Sequence, residues 1–189
     1  TLSISSDDHL GNLSTTSEII IGAESTGTIN SIDDQDWFKI ALNKGNDYII
    51  ESSWAYKEIY DPNGELITSF SDDNFLYSPK DSTCFISFKG DGKGSASNTG
   101  SYSIKVKSFT DDFCSSTLTT GNISTGDSIS GNIQFKYDTD WFKTSFESGK
   151  TYIINVEGSS TASGKLRFPK INGIYNSEGS LISNTSSSN

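Results

Sequence analysis

Sliding the chain along itself brings up a self-match at a fixed spacing of 104 residues, and this repeat constrains the fold more than any other feature. Asp7-Asp8 falls on Asp111-Asp112, Thr15-Thr16 on Thr119-Thr120, Gly22 on Gly126, Gly27 on Gly131 and Ile29 on Ile133. The block Asp34-Gln35-Asp36-Trp37-Phe38-Lys39 falls without a gap on Asp138-Thr139-Asp140-Trp141-Phe142-Lys143. Gly45 then meets Gly149, and Tyr48-Ile49-Ile50 meets Tyr152-Ile153-Ile154. Further on, Ile59-Tyr60 with Gly64, Leu66 and Ile67 matches Ile174-Tyr175 with Gly179, Leu181 and Ile182 at a spacing of 115, which places an 11-residue insertion around Gly158 to Lys170 of the second copy. The expected units are residues 1–109 and 110–189. The second copy stops at Asn189, opposite Asn74, short of the last two or three strands of its template, so the chain reads as one whole unit and most of another from a longer protein.

The local patterns are those of strands. Phe38, Ile40 and Leu42 alternate with Trp37, Lys39 and Ala41, and Phe142, Thr144 and Phe146 alternate with Trp141, Lys143 and Ser145. Tyr152, Ile154 and Val156 follow the same period, and Ser101 to Val106 reads as a closing strand with Tyr102, Ile104 and Val106 inward. Short runs of this kind are separated by turns such as Asp61-Pro62-Asn63-Gly64 and Lys44-Gly45-Asn46. Without helical periodicity, the pattern predicts an all-β chain, each unit an antiparallel sandwich.

Composition narrows the function. With 24 acidic and 14 basic residues the formal charge is −10, and Arg167 is the only arginine, which argues against phosphate neutralisation and hence against a nucleic-acid partner. His9 is the only histidine, so a Ser-His-Asp, Cys-His or multi-histidine zinc site would rest on one residue near a chain end. No apolar run approaches the roughly 18 residues of a membrane span, so membrane insertion is not expected. Eleven Phe, eight Tyr and three Trp supply small cores in the absence of Met. Thr1 is not an initiator, so either a leader has been removed or the chain is an excised segment.

At these residues the chain resembles a known family. An opening Asp-Asp pair (Asp7-Asp8), an Asp-x-Asp-Trp-Phe strand start (Asp34 to Phe38), a Gly-x-x-Tyr-x-Ile strand (Gly45 to Ile50) and an Ile-Tyr-x-x-x-Gly hairpin (Ile59 to Gly64) resemble the bacterial pre-peptidase C-terminal domain. The version meant occurs in tandem in large secreted calcium-binding adhesins and in peptidases. The resemblance implies jelly-roll-like sandwiches without catalytic activity, secreted or at the bacterial cell surface, with calcium as cofactor. It further implies that calcium is held between the opening acidic segment and the acidic turn before the aromatic strand, with ligand roles on Asp8, Asp34 and Asp36 and on Asp112, Asp138 and Asp140.

The residues make their own argument for calcium, which takes six to eight oxygen ligands and neutralises crowded carboxylates. Asp33, Asp34 and Asp36 crowd a strand entry, Asp7 and Asp8 open the unit, and Asp111, Asp112, Asp138 and Asp140 keep the pattern. Tyr137 stands where the first unit has Asp33, so a second site would be weaker or differently built if Asp33 is a ligand. The competing reading, that these acids only solvate turns, accounts better for Asp72-Asp73-Asn74, whose counterpart is Ser187-Ser188-Asn189.

Other candidates divide between packing and binding. Trp37 and Trp141 flank a core strand in both copies, as packing residues do. Trp54, Tyr56 and Tyr60 have no full match in the second copy and form a candidate ligand surface. Cys84 and Cys114 leave two possibilities open, a disulfide or two buried free thiols. Sequons occur at Asn12, Asn122 and Asn184, and His9 reads as a surface residue beside the acidic pair.

Three functions follow in order. The first is a non-catalytic calcium-binding module, part of a larger polypeptide, acting as ligand-binding or spacer segment of an adhesin with an extracellular protein, peptide or polysaccharide as partner. The second is an accessory substrate-binding or secretion domain of an extracellular peptidase. The third, a carbohydrate lyase or hydrolase with paired carboxylates, is the least favoured, because the same acids recurring at both strand entries suit an ion better than an active site.

Overall fold

Every regular element among the described residues is a β-strand, as the period-two patterns require. The computed structural model describes residues 7–90, 99–158 and 169–183. By packing, the chain divides into two units, Thr1–Asp111 with Phe135–Tyr137, and Asp112–Gln134 with Asp138–Asn189. Much of the insertion, the sequon at Asn184, Arg167 and Ser187-Ser188-Asn189 lie outside the described residues.

The first unit is a sandwich. Its strands are β1 Glu18–Ile19, β2 Glu24–Ile29, β3 Gln35–Ala41, β4 Asp47–Ser52, β5 Lys57–Tyr60, β6 Leu66–Phe70, β7 Asn74–Tyr77, β8 Thr83–Lys89 and β9 Gly100–Phe109. One sheet has the order β1-β3-β8-β5-β6, the other β2-β9-β4-β7. All pairings are antiparallel except that of β1 with β3. Alternation along each strand sends Phe38, Ile40, Ile59, Ile86 and Phe88 from the first sheet, and Ile29, Tyr48, Ile50, Ile104 and Val106 from the second, into one core. Lys57 is buried with them; its ammonium donates to the carbonyls of Trp54 (2.5 Å) and Asp72 (2.9 Å), and burial holds its pKa below the ordinary lysine value.

The β5–β6 hairpin turns where the sequence asks for it. Asp61 Oδ1 accepts the amides of Asn63 and Glu65, both at 2.8 Å, and Gly64 takes a φ of +85° that a side chain would disfavour. The register slips between Ile59 and Tyr60, so β6 carries a bulge around Ile67.

In the second unit several individual contacts of the first recur. Thr15 Oγ1 donates to the Trp37 carbonyl (2.8 Å) and Thr119 Oγ1 to that of Trp141 (2.7 Å). Tyr48 accepts the amide of Asn43 (2.9 Å) and Tyr152 that of Glu147 (2.8 Å). Trp37 stacks on Tyr60 and Trp141 on Tyr175, each pair with ring centres 4.3 Å apart. The parallel contact of β1 with β3 returns as a single bridge between Asn122 and Lys143. Long-range pairing does not follow. The only strands among the unit's described residues are β10, Ile174–Tyr175, and β11, Leu181–Ser183, joined in a bulged hairpin like β5–β6.

The strand-patterned segments around Phe142 and Ile154 are therefore exposed and, apart from the bridge at Lys143, joined to no ladder, where the sequence predicts a second sandwich. The reason is pairing. In the first unit β3 rests on β8, and β4 lies between β9 and β7. No counterparts of β8 and β9 occur among the described residues of the second.

The repeat turns this into a comparison at one position. Ile50 is 1 % exposed and its counterpart Ile154 is 49 % exposed. Ile50→Ala is expected to lower stability by about 3 kcal/mol, through lost transfer energy and a cavity. Ile154→Ala is expected to cost less than about 1 kcal/mol. Guanidinium unfolding of the two single variants tests the difference; equal losses would contradict it.

Candidate functional site

The site forms where the opening segment returns over the start of β3. Asp8 Oδ2 accepts the Thr28 amide (3.0 Å), and Trp37 donates its amide to the Leu10 carbonyl (3.2 Å). His9 anchors the segment. Its Nδ1 lies 2.7 Å from Ser17 Oγ and its Nε2 2.9 Å from the Thr26 carbonyl, with the ring 4.4 Å from that of Phe38. The expectation of a surface histidine is thus corrected: the residue is half-buried and packs the segment onto β2 and β3. Asp34 closes its own turn, its Oδ2 accepting the Asn30 amide at 2.5 Å.

This path brings carboxylate oxygens of Asp7, Asp34 and Asp36 within 4.8 Å of one another. Asp8 and Asp33 are not in that group, and Asp33 is exposed. Asp36 lies on the inner face of β3 with no solvent exposure. Its Oδ2 accepts the Tyr102 hydroxyl (2.6 Å), while Oδ1 is buried without a hydrogen-bond partner. Burial pushes the carboxyl up to about 7, and the negative charges of Asp8 and Asp34 act in the same direction; the Tyr102 hydrogen bond and His9 oppose it. Burial, and next the bond to Asp36, likewise push the Tyr102 hydroxyl well above its ordinary value.

The second unit repeats part of this scheme. Asp112 Oδ2 accepts the Asn132 amide (3.0 Å), as Asp8 does that of Thr28, and Asp138 Oδ2 accepts the Gln134 amide (2.7 Å), as Asp34 does that of Asn30. Here the carboxylates within 4.8 Å are those of Asp111, Asp112 and Asp140, and Asp138 is not one of them. The turn itself differs, because Tyr137, in the place of Asp33, takes a φ of 74° that bulky residues rarely adopt.

The other candidates separate. Trp54 turns toward the core, its indole donating to the Lys89 carbonyl (2.8 Å). Tyr56 and Tyr60 both donate to buried Glu58, at 3.0 and 2.6 Å, beside Lys89 at 2.9 Å. Burial alone would raise the Glu58 carboxyl, but the bonds from Tyr60, Lys89 and Tyr56 outweigh it and hold the pKa below the ordinary value. Trp54 thus meets Lys89 at its backbone, whereas the two tyrosines bond Glu58, which the Lys89 ammonium also bonds. Trp37 is buried against Tyr60 and Phe85, a packing role. Cys84 and Cys114 are both buried free thiols, and burial pushes Cys84 up to about 12.

Sequence reasoning missed Tyr102 and His9 as site residues. The signal for Tyr102 is Gly27, which pairs with it across β2 and β9 and recurs as Gly131: a methyl group at Gly27 would overlap the tyrosine hydroxyl.

The arrangement suits a hard cation. It offers oxygen donors only, and one of them is a buried carboxylate oxygen left without a partner. Without a cation the raised carboxyl carries a pH signature. The folded chain holds the Asp36 proton more tightly than the unfolded chain, whose carboxyl titrates near 3.8, so the cost of the buried charge is absent in acid and grows until the pH passes about 7. In excess chelator, the melting midpoint of the first unit is expected to fall between about pH 5 and about pH 8, and Asp36→Asn to flatten that fall. Scanning calorimetry across this range decides; a flat wild-type profile would contradict the assignment.

No protein-family model matches the sequence, and neither does any curated protein. In structure the chain is similar to the pre-peptidase C-terminal domain of a collagenase from Bacillus anthracis, at 13 % identity and a TM-score of 0.36, with 48 % of this chain and 93 % of that domain covered.

Proposed function

We propose that the chain is a non-catalytic, calcium-stabilised module of an extracellular protein. One observation supports this reading above the others, the partnerless buried Oδ1 of Asp36 beside the carboxylates of Asp7 and Asp34. A bound cation would complete that oxygen's coordination and offset the desolvation of the charge. Asp7, Asp34 and Asp36 would hold it in the first unit, and Asp111, Asp112 and Asp140 in the second. His9, the single histidine, has both ring nitrogens engaged in fixing the opening segment, which supports a structural role for it.

The motif resemblance supports a place for such a module in an extracellular peptidase, where it would serve substrate binding or secretion. An adhesin spacer makes the same demands on the fold and is the second setting. Among the described residues no helix is long and apolar enough to cross a membrane.

Calcium chloride titrated into chelator-treated protein is expected to bind with a Kd of about 0.1–1 mM, the range of extracellular modules. At 100 times that Kd, the stability gain is about 2.7 kcal/mol per site. Calorimetry and melting curves measure both. A melting midpoint indifferent to calcium and to chelator, with no heat of binding, would remove the reading. Asp36→Asn is expected to abolish the gain in the first unit.

A further inference from the structure

We propose that His9 is the positioning residue of the first unit's cation cluster, holding Asp7 against Asp34 and Asp36; the inference rests on the calcium reading above. Asp34 is tied to its own turn by the Asn30 amide, and Asp36 is built into β3. Asp7 depends on a neighbour. It is exposed and lies ahead of β1, and its Oδ1 accepts the backbone amide of His9 (3.3 Å), so the direction of its carboxylate follows from where His9 is held.

Three contacts hold that histidine. A carbonyl only accepts, so in the neutral ring Nε2 carries the hydrogen and donates to Thr26 (2.9 Å), which leaves Nδ1 to accept the Ser17 hydroxyl (2.7 Å). The ring also lies 4.4 Å from that of Phe38, above Gly27, where a Cβ would come within 2.9 Å of the imidazole Cδ2. Bonds to β2 and to Ser17 and a ring contact with β3 thus converge on one side chain, two residues from Asp7.

The repeat supplies the matching substitution. At the same position the second unit has Phe113, whose ring lies 4.8 Å from that of Phe142, as His9 lies against Phe38, but which has no atom for either hydrogen bond. The opening acids are placed differently as well. Asp111 and Asp112 both join Asp140, whereas in the first unit Asp7 joins alone and Asp8 is bonded to Thr28, its Oδ2 3.6 Å from His9 Nε2. A ligand carried ahead of the sandwich must be ordered before it can serve, and partners that orient a metal ligand are worth about 10- to 100-fold in affinity.

The experiment uses terbium(III), a cation that shares calcium's preference for oxygen, on a parent protein that is the whole chain with Asp111→Ala and Asp140→Asn to remove the second cluster. Titration gives the affinity, and luminescence lifetimes in light and heavy water count the waters left on the bound ion. Asp7→Ala and His9→Phe are each expected to weaken binding by about tenfold or more and to add a water to the ion. The double variant is expected to bind no more weakly than Asp7→Ala and to add no second water, because His9 acts through Asp7. Asp34→Asn is the control, and its effect is expected to multiply with that of His9→Phe. A purely structural role would weaken the whole cluster, so that His9→Phe costs affinity even where Asp7 is already gone; that result would overturn the assignment. Should His9→Phe fail to fold, Ser17→Ala, which withdraws only the Nδ1 partner, takes its place in the same cycle under the same criterion. A parent that takes up no terbium would remove the calcium reading together with the inference; a parent that binds while His9→Phe keeps its affinity and its water count removes the inference alone.

Discussion

A carboxylate without solvent access sits between two sheets, and the first unit is arranged around it. Asp36 belongs to β3 and Tyr102 to β9, so the bond between them joins one sheet to the other through the core. Hydrophobic burial closes a sandwich without specifying how its faces align; a charge-assisted hydrogen bond at a fixed position selects one alignment. Several features that look unrelated in the sequence answer to this bond. Gly27 leaves room for the hydroxyl, Phe88 and Phe38 hold the phenol ring, and His9 brings the opening acids over the same end of the core.

The two copies separate what a short segment encodes from what only a complete sheet supplies. The threonine bond to the tryptophan carbonyl, the tyrosine that accepts a turn amide, the Trp–Tyr stack and the bulged hairpin are present in both. These close over shorter stretches of chain than the sheet ladders do. The ladders that bury Phe38 and Ile50 need β8 and β9, which lie about 50 residues further along the chain, and loop closure makes such contacts late and conditional. Where those partners are not found, the same alternation leaves Phe142, Phe146 and Val156 facing solvent.

The period-two runs at Phe38–Leu42 and Tyr102–Val106 were legible because a half-buried strand must alternate, and the structure places both as predicted. The turn at Gly64 was legible for an equally local reason. Within the candidate site, Asp34 and Asp36 could be picked out by their recurrence, as could the opening pair. Which member of that pair faces its neighbours could not, since Asp7 joins Asp34 and Asp36 while Asp8 is engaged with Thr28, a choice made by a path over β2. Tyr102 stayed hidden for the same reason, being 66 residues from Asp36. Trp54, Tyr56 and Tyr60 are close in sequence, but Trp54 lies in the bend between β4 and β5 and turns toward the core, while Tyr56 and Tyr60 bond Glu58.

The bulge that throws Ile67 out of register in β6, and its twin at Ile182 in β11, bear on what happens when many such modules are crowded together. Both strands are uncharged and rich in residues suited to fibrils, and a straight edge of that kind would recruit its own likeness. An extra residue near the start of each strand breaks the regular spacing of amides and carbonyls that an incoming strand would have to match. One such misfit residue works against strand addition at that edge without an added charge.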